Sequence, residues 1–375
     1  MHVLIVVLHR PLKPTGVCRH AANLARCLAN LDPVSQVTLV TGVWQKDYFE
    51  TAFSLSSPKI KIVGIEIKNS SISRNLWYLF GLPKLVQKIN PSIVHLAFPL
   101  PFLRSRFSCP VVATIHDLYP YQVPENFGYQ QVLFNRFFLQ QCIRSSNGLV
   151  CVSKVTLNDL ENYFPEVVSH HKKTSIIYNF VDFEQTESIQ PKDLPKDFNA
   201  PYILSVGQHR KNKNFDLLLR AYAQLVHEHW FTTPTKLLIV GSPGPETDSL
   251  LHLIRELSLE DSVLMLSAIE DSELCWLYQN CQLFVMPSAL EGFCIPLVEA
   301  LHFSCKVVCS DIPIFREVGS SSCTYFDLAG DAVKNLAQAM TQSLELSTPG
   351  KADIHLRFSK TAIAAQCLQL YSELI

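Results

Sequence analysis

The sequence predicts an α/β protein built from two doubly wound domains, and three observations carry that prediction. Short apolar runs with strand character alternate with amphipathic helical stretches along the whole chain. The alternation breaks once, at a polar, proline-bearing segment over residues 186–200, and then starts again. The length, 375 residues, is enough for two separate cores.

Taken in order, VLIVVL at residues 3–8 is a continuous apolar strand of the kind found in sheets covered on both faces. PLKPTG is a loop, VCRHAANLARCLANL an amphipathic helix, and VTLVTG the next strand. KIVGIEI reads as a strand, LWYLFGLPKLVQKI as helical, and SIVHLAF and VVATIHDL as strands. A helix over QVLFNRFFLQQCIRSS, the strand LVCVS, a helix from Val155 to Tyr163 and the strand TSIIYNFV complete an N-terminal domain of residues 1–185. Beyond the 186–200 linker, a second domain is expected over 201–355. Its strands are YILSVG, KLLIVG, SVLMLSA, LFVMPS and KVVCS, and its helices are FDLLLRAYAQLV, LLHLIREL, ELCWLYQ and PLVEALHF. TAIAAQCLQLYSEL, within residues 356–375, is long enough for a terminal helix. Two such domains put the carboxyl ends of their strands on the walls of one cleft, where ligands of open α/β sheets bind.

Composition narrows the function classes. A net charge of -1 with 17% charged residues offers no global field for nucleic acid or a membrane. The twelve cysteines are scattered without a CxxC pair and most lie in apolar runs, which predicts buried reduced thiols and no zinc site. The start MHVLIVVLHRP lacks a basic segment, and no apolar run is long enough to cross a bilayer. A soluble protein of the cytoplasm is expected, with a peripheral contact at the inner membrane face as the further option.

Two loops carry chemistry. In PSALEGFCIPLVEA, residues 287–300, a buried-strand run leads through Glu291 and Gly292 to Pro296, which suits the first helical position because its missing N–H has no intrahelical partner. A strand, a short glycine turn and a helix start make an anion site of outward N–H groups. Glu291 in the turn and Glu299 one turn into the helix would then face one ligand; beside a phosphate they suit hydroxyl groups better. The plain alternative is a strand–loop–helix unit with two solvated glutamates. The loop Gly207-Gln-His-Arg210-Lys211-Asn-Lys213-Asn214 places three cations within four residues at a strand's carboxyl end, costly unless they meet an anion. An ordinary solvated loop is the alternative here.

SVGQHRKNKNFDLLLRAY, KLLIVG, PSALEGFCIPLVEA and CSDIPIFREVG together resemble the C-terminal half of the retaining GT-B glycosyltransferases of group 4. PTGVCRHAANLARCL, PSIVHL, TIHDLYP and IYNFVD resemble the N-terminal half more loosely. The resemblance implies a hexosyltransferase, independent of metal and without a cofactor. It would take a nucleotide diphosphate sugar as donor and a glycan or lipid-linked acceptor, in surface polysaccharide synthesis. Arg210 and Lys213 would neutralise the diphosphate. Glu291 would contact donor-sugar hydroxyls, Glu299 the ribose, and the amides of Phe293, Cys294 and Ile295 the phosphate. Gly207 and Gly292 belong to the same donor loops. Gly16 resembles the family's N-terminal glycine loop, and His116, beside Asp117, a histidine close to the reacting sugar.

Charge developing on the leaving phosphate is stabilised by fixed cations and a helix start. Asp182-Phe183-Glu184 is the nearest thing to a paired-acid metal motif and reads as the edge of the linker. Nothing in the N-terminal half plainly offers a carboxylate nucleophile, so front-face attack, with the leaving phosphate taking the acceptor proton, is the expected route to retention.

Five positions depart from the family pattern: Thr15 before Gly16, Ser267, Cys294 and Ser304 where glycine is usual, and Lys306 where proline is usual. Fewer glycines limit close backbone approach. A nucleotide-sugar epimerase and a catalytically silent binding scaffold are the competing readings. His9, His20, His170 and His171 read as solvated or satisfied. Trp77, Tyr78 and Phe80 with Lys84 and Lys88, and the run 133–138, offer a membrane-facing surface, with packing into the core the favoured reading.

Overall fold

The computed structural model describes residues 1–13, 15–53, 55–124, 129–169, 173–183, 186–267, 269–346 and 357–375. His170, His171 and Glu184 lie outside the described residues. The chain forms two compact units, Met1–Phe180 with Phe358–Ile375, and Val181–Arg357.

The first unit holds a seven-stranded sheet of β1 (His2–Val6), β2 (Gln36–Gly42), β3 (Ile60–Ile65), β4 (Ile93–Leu96), β5 (Val111–Ile115), β6 (Gly148–Cys151) and β7 (Lys173–Ile176). Its order is β3-β2-β1-β4-β5-β6-β7, and its pairings are parallel. The opening apolar run explains why both faces must be covered. Val3, Ile5 and Val7 enter one core cluster with the helix Gly16–Ala29, while Leu4, Val6 and Leu8 enter another with Tyr78, Leu82 and Val86. The terminal helix Lys360–Ser372 packs Ile363, Ala364, Cys367, Leu370 and Tyr371 into the first of these clusters.

The second unit repeats the plan with β8 (Tyr202–Val206), β9 (Lys236–Val240), β10 (Val263–Leu266), β11 (Leu283–Met286), β12 (Val307–Ser310) and β13 (Thr324–Phe326), ordered β10-β9-β8-β11-β12-β13. Strand order reverses between β1 and β4 in one sheet and between β8 and β11 in the other. Those reversals are the switch points at which open parallel sheets bind ligands beyond the strands' carboxyl ends.

Several elements escape the periodicity. The helix Val43–Thr51 has a weakly segregated face and is anchored by Gln45, whose side chain accepts from the Gly42 and His9 amides. The helices Pro313–Gly319 and Ala332–Glu345 and the three-residue β13 stand beyond the predicted elements; the first and last are too short to show a period, whereas Ala332–Glu345 is capped by Asp331 and buries Leu336, Ala337 and Met340 on one face. The segment 186–200 is packed: Ile189 N–H donates to Ser272 O, Lys192 N–H donates to Glu273, and Pro191 and Leu194 are buried.

Ser304, where glycine is usual, has a left-handed backbone with φ 58. Its N–H donates to Leu301 O and that of Cys305 to Ala300 O, the paired closure of a helix end whose next residue is normally glycine. Ser304→Gly removes the Cβ penalty and is expected to stabilise the unit by about 1 kcal/mol, raising Tm by about 3 °C. Calorimetry showing no rise, or a fall, refutes this account.

Candidate functional site

β8 and β11 are neighbours in register, with Ile203 opposite Leu283 and Leu204 opposite Phe284, so the two loops singled out in the sequence leave the sheet side by side. Backbone and asparagine side chains lace them together. Ala289 N–H donates to Asn212 O at 2.8 Å, Asn212 Nδ2 to Leu290 O at 3.0 Å, and Asn214 Nδ2 to Pro287 O at 3.0 Å. Asn214 takes the left-handed conformation that asparagine tolerates.

This lacing brings Lys213 onto Glu291. Lys213 Nζ donates to Glu291 Oε1 at 2.5 Å, and Ser288 Oγ donates to the same oxygen at 2.7 Å. The side chains are 14% and 9% exposed. Burial opposes the lysine's charge, but the Glu291 carboxylate more than offsets it, and the ammonium is held above its ordinary value. The lysine stem crosses Gly207, where a Cβ would stand 3.3 Å from Lys213 Cε. The β9 loop then packs so tightly that a Cβ on Gly241 would lie 1.8 Å from Gly207 O. His209 turns inward, with Nδ1 3.0 Å from Thr247 Oγ1.

Arg210 is exposed at the start of the short turn Lys211–Lys213, close enough for its charge to act against that of Lys213. It borders a groove of about 640 Å³ with Arg220, Asp216 and Asp248.

Past Glu291 and Gly292, Cys294 caps the helix Ile295–His302 with φ 72, so the usual glycine there has a conformational cause. The helix begins one residue before Pro296, which makes that proline the second helical residue instead of the first. Pro296 has no N–H to offer and Leu297 N–H already donates to Cys294 O at 3.1 Å, so of the first turn Ile295 supplies the outward amide. Phe293 and Cys294 are largely buried, Gly292 and Ile295 half-buried. Burial pushes the Cys294 thiol up, reinforced by Glu291 and countered by Lys213, with Glu299 also contributing. Glu299 lies deeper, 2% exposed, and accepts from Tyr278 O–H at 2.8 Å.

In the first unit Gly16 opens its helix with nothing within 4 Å of the position a Cβ would take. His116 follows β5, half-buried, with Nε2 donating to Ala97 O at 2.8 Å and its pKa lowered by burial. Asp117 accepts from the Tyr119 amide. His20, read as solvated or satisfied, is satisfied: Asn179 and Thr114 hold its two ring nitrogens.

Sequence reasoning missed Ser288, Tyr278 and the asparagines beside Lys213. Only the asparagines left a trace, the Asn212-Lys213-Asn214 pattern. Tyr78 is buried and Trp77 packs against the core, whereas Phe80 is 47% exposed beneath the Arg106 guanidinium, and Leu133, Phe134 and Phe137 are 51%, 62% and 61% exposed. Among the described residues no helix is long and apolar enough to cross a membrane, and no group of three or more His, Cys, Asp or Glu is placed to hold a metal ion. Ten of the twelve cysteines are buried, and Cys281 and Cys323 are half-buried.

The profile of the family described as Glycosyl transferases group 1 matches residues 186–362, and that of Glycosyltransferase Family 4 matches 14–185. The chain is 27% identical over 334 residues to the O-antigen chain mannosyltransferase RfbU of Salmonella typhimurium, covering 86% of this chain and 88% of that one. Over 179 residues it is 38% identical to a Campylobacter jejuni N-acetylgalactosamine-N,N'-diacetylbacillosaminyl-diphospho-undecaprenol 4-alpha-N-acetylgalactosaminyltransferase, covering 48% of this chain and 45% of that protein. Its fold resembles that of Anabaena HepE, solved with UDP and glucose, at TM-score 0.70 and 18% identity over the whole of both chains. It also resembles WaaG, a glycosyltransferase involved in lipopolysaccharide biosynthesis, at TM-score 0.66 and 17% identity over 99% of this chain and 96% of that one.

Proposed function

The chain belongs to the GT-B glycosyltransferases of the group 1 and family 4 type, with O-antigen transferases among its relatives, and from that premise we propose a retaining hexosyl transfer from a nucleotide diphosphate sugar to a glycan or lipid-linked acceptor in surface polysaccharide synthesis. In this reading the second unit holds the donor and the first the acceptor. The observation that carries it is the Lys213–Glu291 pair beside a helix start at the β8/β11 switch point.

The donor's diphosphate takes Lys213 from Glu291, with Arg210 and the amides of Phe293 to Ile295 adding to its neutralisation. Glu291 is then free to accept from sugar hydroxyls, and Glu299, held by Tyr278, borders the ribose. As the bond from C1 to the phosphate oxygen breaks, the acceptor oxygen bonds C1 on the same face and its proton passes to the phosphate. Fixed positive groups lower this barrier because the departing phosphate gains charge in the transition state. His116, whose Nε2–H is committed to Ala97 O, meets the sugar as a neutral Nδ1 acceptor.

Relatives that are mannosyl- and N-acetylgalactosaminyltransferases make GDP-mannose and UDP-N-acetylgalactosamine the first donors to try, with UDP-glucose beside them. Thermal-shift titration with and without EDTA is expected to give stabilisation by one donor, unaffected by chelator. No shift with any donor refutes the reading; binding without transfer leaves a nucleotide-sugar scaffold; loss of turnover with EDTA refutes metal independence. The anomeric coupling of the product, read by NMR, tests retention.

Gly16 supplies a second check. A Cβ at Gly16 would meet no protein atom within 4 Å. Gly16→Ala is therefore expected to leave Tm unchanged while raising the donor KM about tenfold, a uniform-binding loss. An unchanged KM removes Gly16 from the donor site. The exposed Phe134 and Phe137 favour, in addition, a peripheral contact with lipid where the acceptor is lipid-linked.

A further inference from the structure

Beneath His116 lies a chain of buried polar groups that the reaction as described does not use. His20, His95, Thr114, Asn179 and Tyr371 are each at most 9% exposed. They come from the helix Gly16–Ala29, from β4, from β5, from the loop after β7 and from the terminal helix. His20 Nδ1 lies 2.6 Å from Asn179 Oδ1, and His20 Nε2 3.3 Å from Thr114 Oγ1. His95 Nε2 lies 2.7 Å from the same hydroxyl, and His95 Nδ1 meets the Tyr371 hydroxyl.

Donor and acceptor chemistry allows the protons one order. Asn179 Oδ1 can only accept, so His20 carries its proton on Nδ1 and offers a lone pair at Nε2. Thr114 therefore donates to His20, and its oxygen accepts from His95 Nε2–H. His95 Nδ1 is left to accept from Tyr371 O–H. Every member is satisfied with both rings neutral; a further proton on either ring would turn its partner hydroxyl into an acceptor and take that hydroxyl's own proton away from the bond it makes here. The His20 ring stands edge-to-face with that of His116, centroids 4.8 Å apart and planes at 89°.

We infer that Tyr371, His95, Thr114, His20 and Asn179 form a proton-ordered chain that positions His116 and keeps it a neutral acceptor for a donor-sugar hydroxyl. The inference rests on the reading of His116 given above. Thr114, two residues before His116, is the pivot: its single hydroxyl ties the two rings together and sets the orientation of the His20 ring against His116. The terminal helix thereby reaches the sugar-facing histidine through four hydrogen-bonding side chains, although Tyr371 touches no substrate. All five are positioning residues.

Ring-nitrogen NMR of 15N-histidine-labelled full-length protein tests the chain without substrate. At neutral pH, His20 is expected as the Nδ1–H tautomer and His95 and His116 as Nε2–H tautomers. A charged His20, or His20 as the Nε2–H form, overturns the chain as drawn.

Turnover with the donor selected by the thermal-shift panel tests the coupling. Thr114→Val is expected to lower kcat about tenfold with donor KM within about twofold, and Thr114→Ser to restore it. In a His116→Ala background Thr114→Val should cost nothing further, since the two act as a unit. Additive losses, or failure of serine to rescue, refute positioning through His116. If His116→Ala alone leaves kcat unchanged while the tautomers are as expected, the reading of His116 falls and the positioning role with it, whereas donor binding at Lys213 stands.

Discussion

Lys213→Met is expected to lower kcat/KM by about 10³-fold, because it removes the buried cation that meets charge developing on the leaving phosphate. Methionine keeps most of the stem that crosses Gly207 and removes only the charge. The same change strands the Glu291 carboxylate, 9% exposed and left with Ser288 as a hydrogen-bond donor, which should cost about 3 kcal/mol of stability. A second variant separates the two effects. In Lys213→Met/Glu291→Gln no charge is stranded, so denaturant unfolding should recover most of that stability while activity stays lost. Activity that returns with stability would mean the pair is a structural strut, and retention of activity in the single variant would remove Lys213 from catalysis altogether.

Acid is expected to destabilise the first unit steeply between pH 6.5 and 5.5. Burial lowers the His20 and His95 rings, to about 3 for His95, and a proton on neighbouring His116 would lower both further. Both folded values lie below the ordinary 6.5, so the unfolded chain binds more protons and stability rises with pH through this window. The contribution is complete above the unfolded value and is lost as pH falls below it. One unit below, each ring costs about 1.4 kcal/mol, about 3 kcal/mol for the two, a large part of the ~5–15 kcal/mol that holds a domain together. Urea unfolding at pH 7.5 and 5.5 measures it directly. Equal stability at the two pH values would show that the rings are not held neutral. His95→Gln, with one ring fewer to protonate, should flatten the dependence by about half.

Much of this was readable before any coordinates. The run VLIVVL, apolar at every position, requires a strand covered on both faces, and Val3, Ile5 and Val7 do face a different core from Leu4, Val6 and Leu8. The cation-rich loop and the EGFCIPLVEA loop were recognisable as neighbours because strand alternation sends both out beyond the carboxyl ends of one sheet, and Asn212 and Asn214 do lace them together. Less was readable where an element is short or weakly segregated. The helix Val43–Thr51 is held by a glutamine reaching to Gly42 and His9, an interaction with no periodic signature.

The twofold α/β plan, the family and the identity of the charged loops belong to the sequence itself, because periodicity, turn residues and motif spacing are local properties of the chain. The tertiary structure alone decided which groups are partners. Lys213 meets Glu291 across 78 positions and His95 meets Tyr371 across 276. Only strand order and the return of the last helix bring such residues together. A side chain's charge and proton depend on what burial sets beside it, and that is a property of the folded topology.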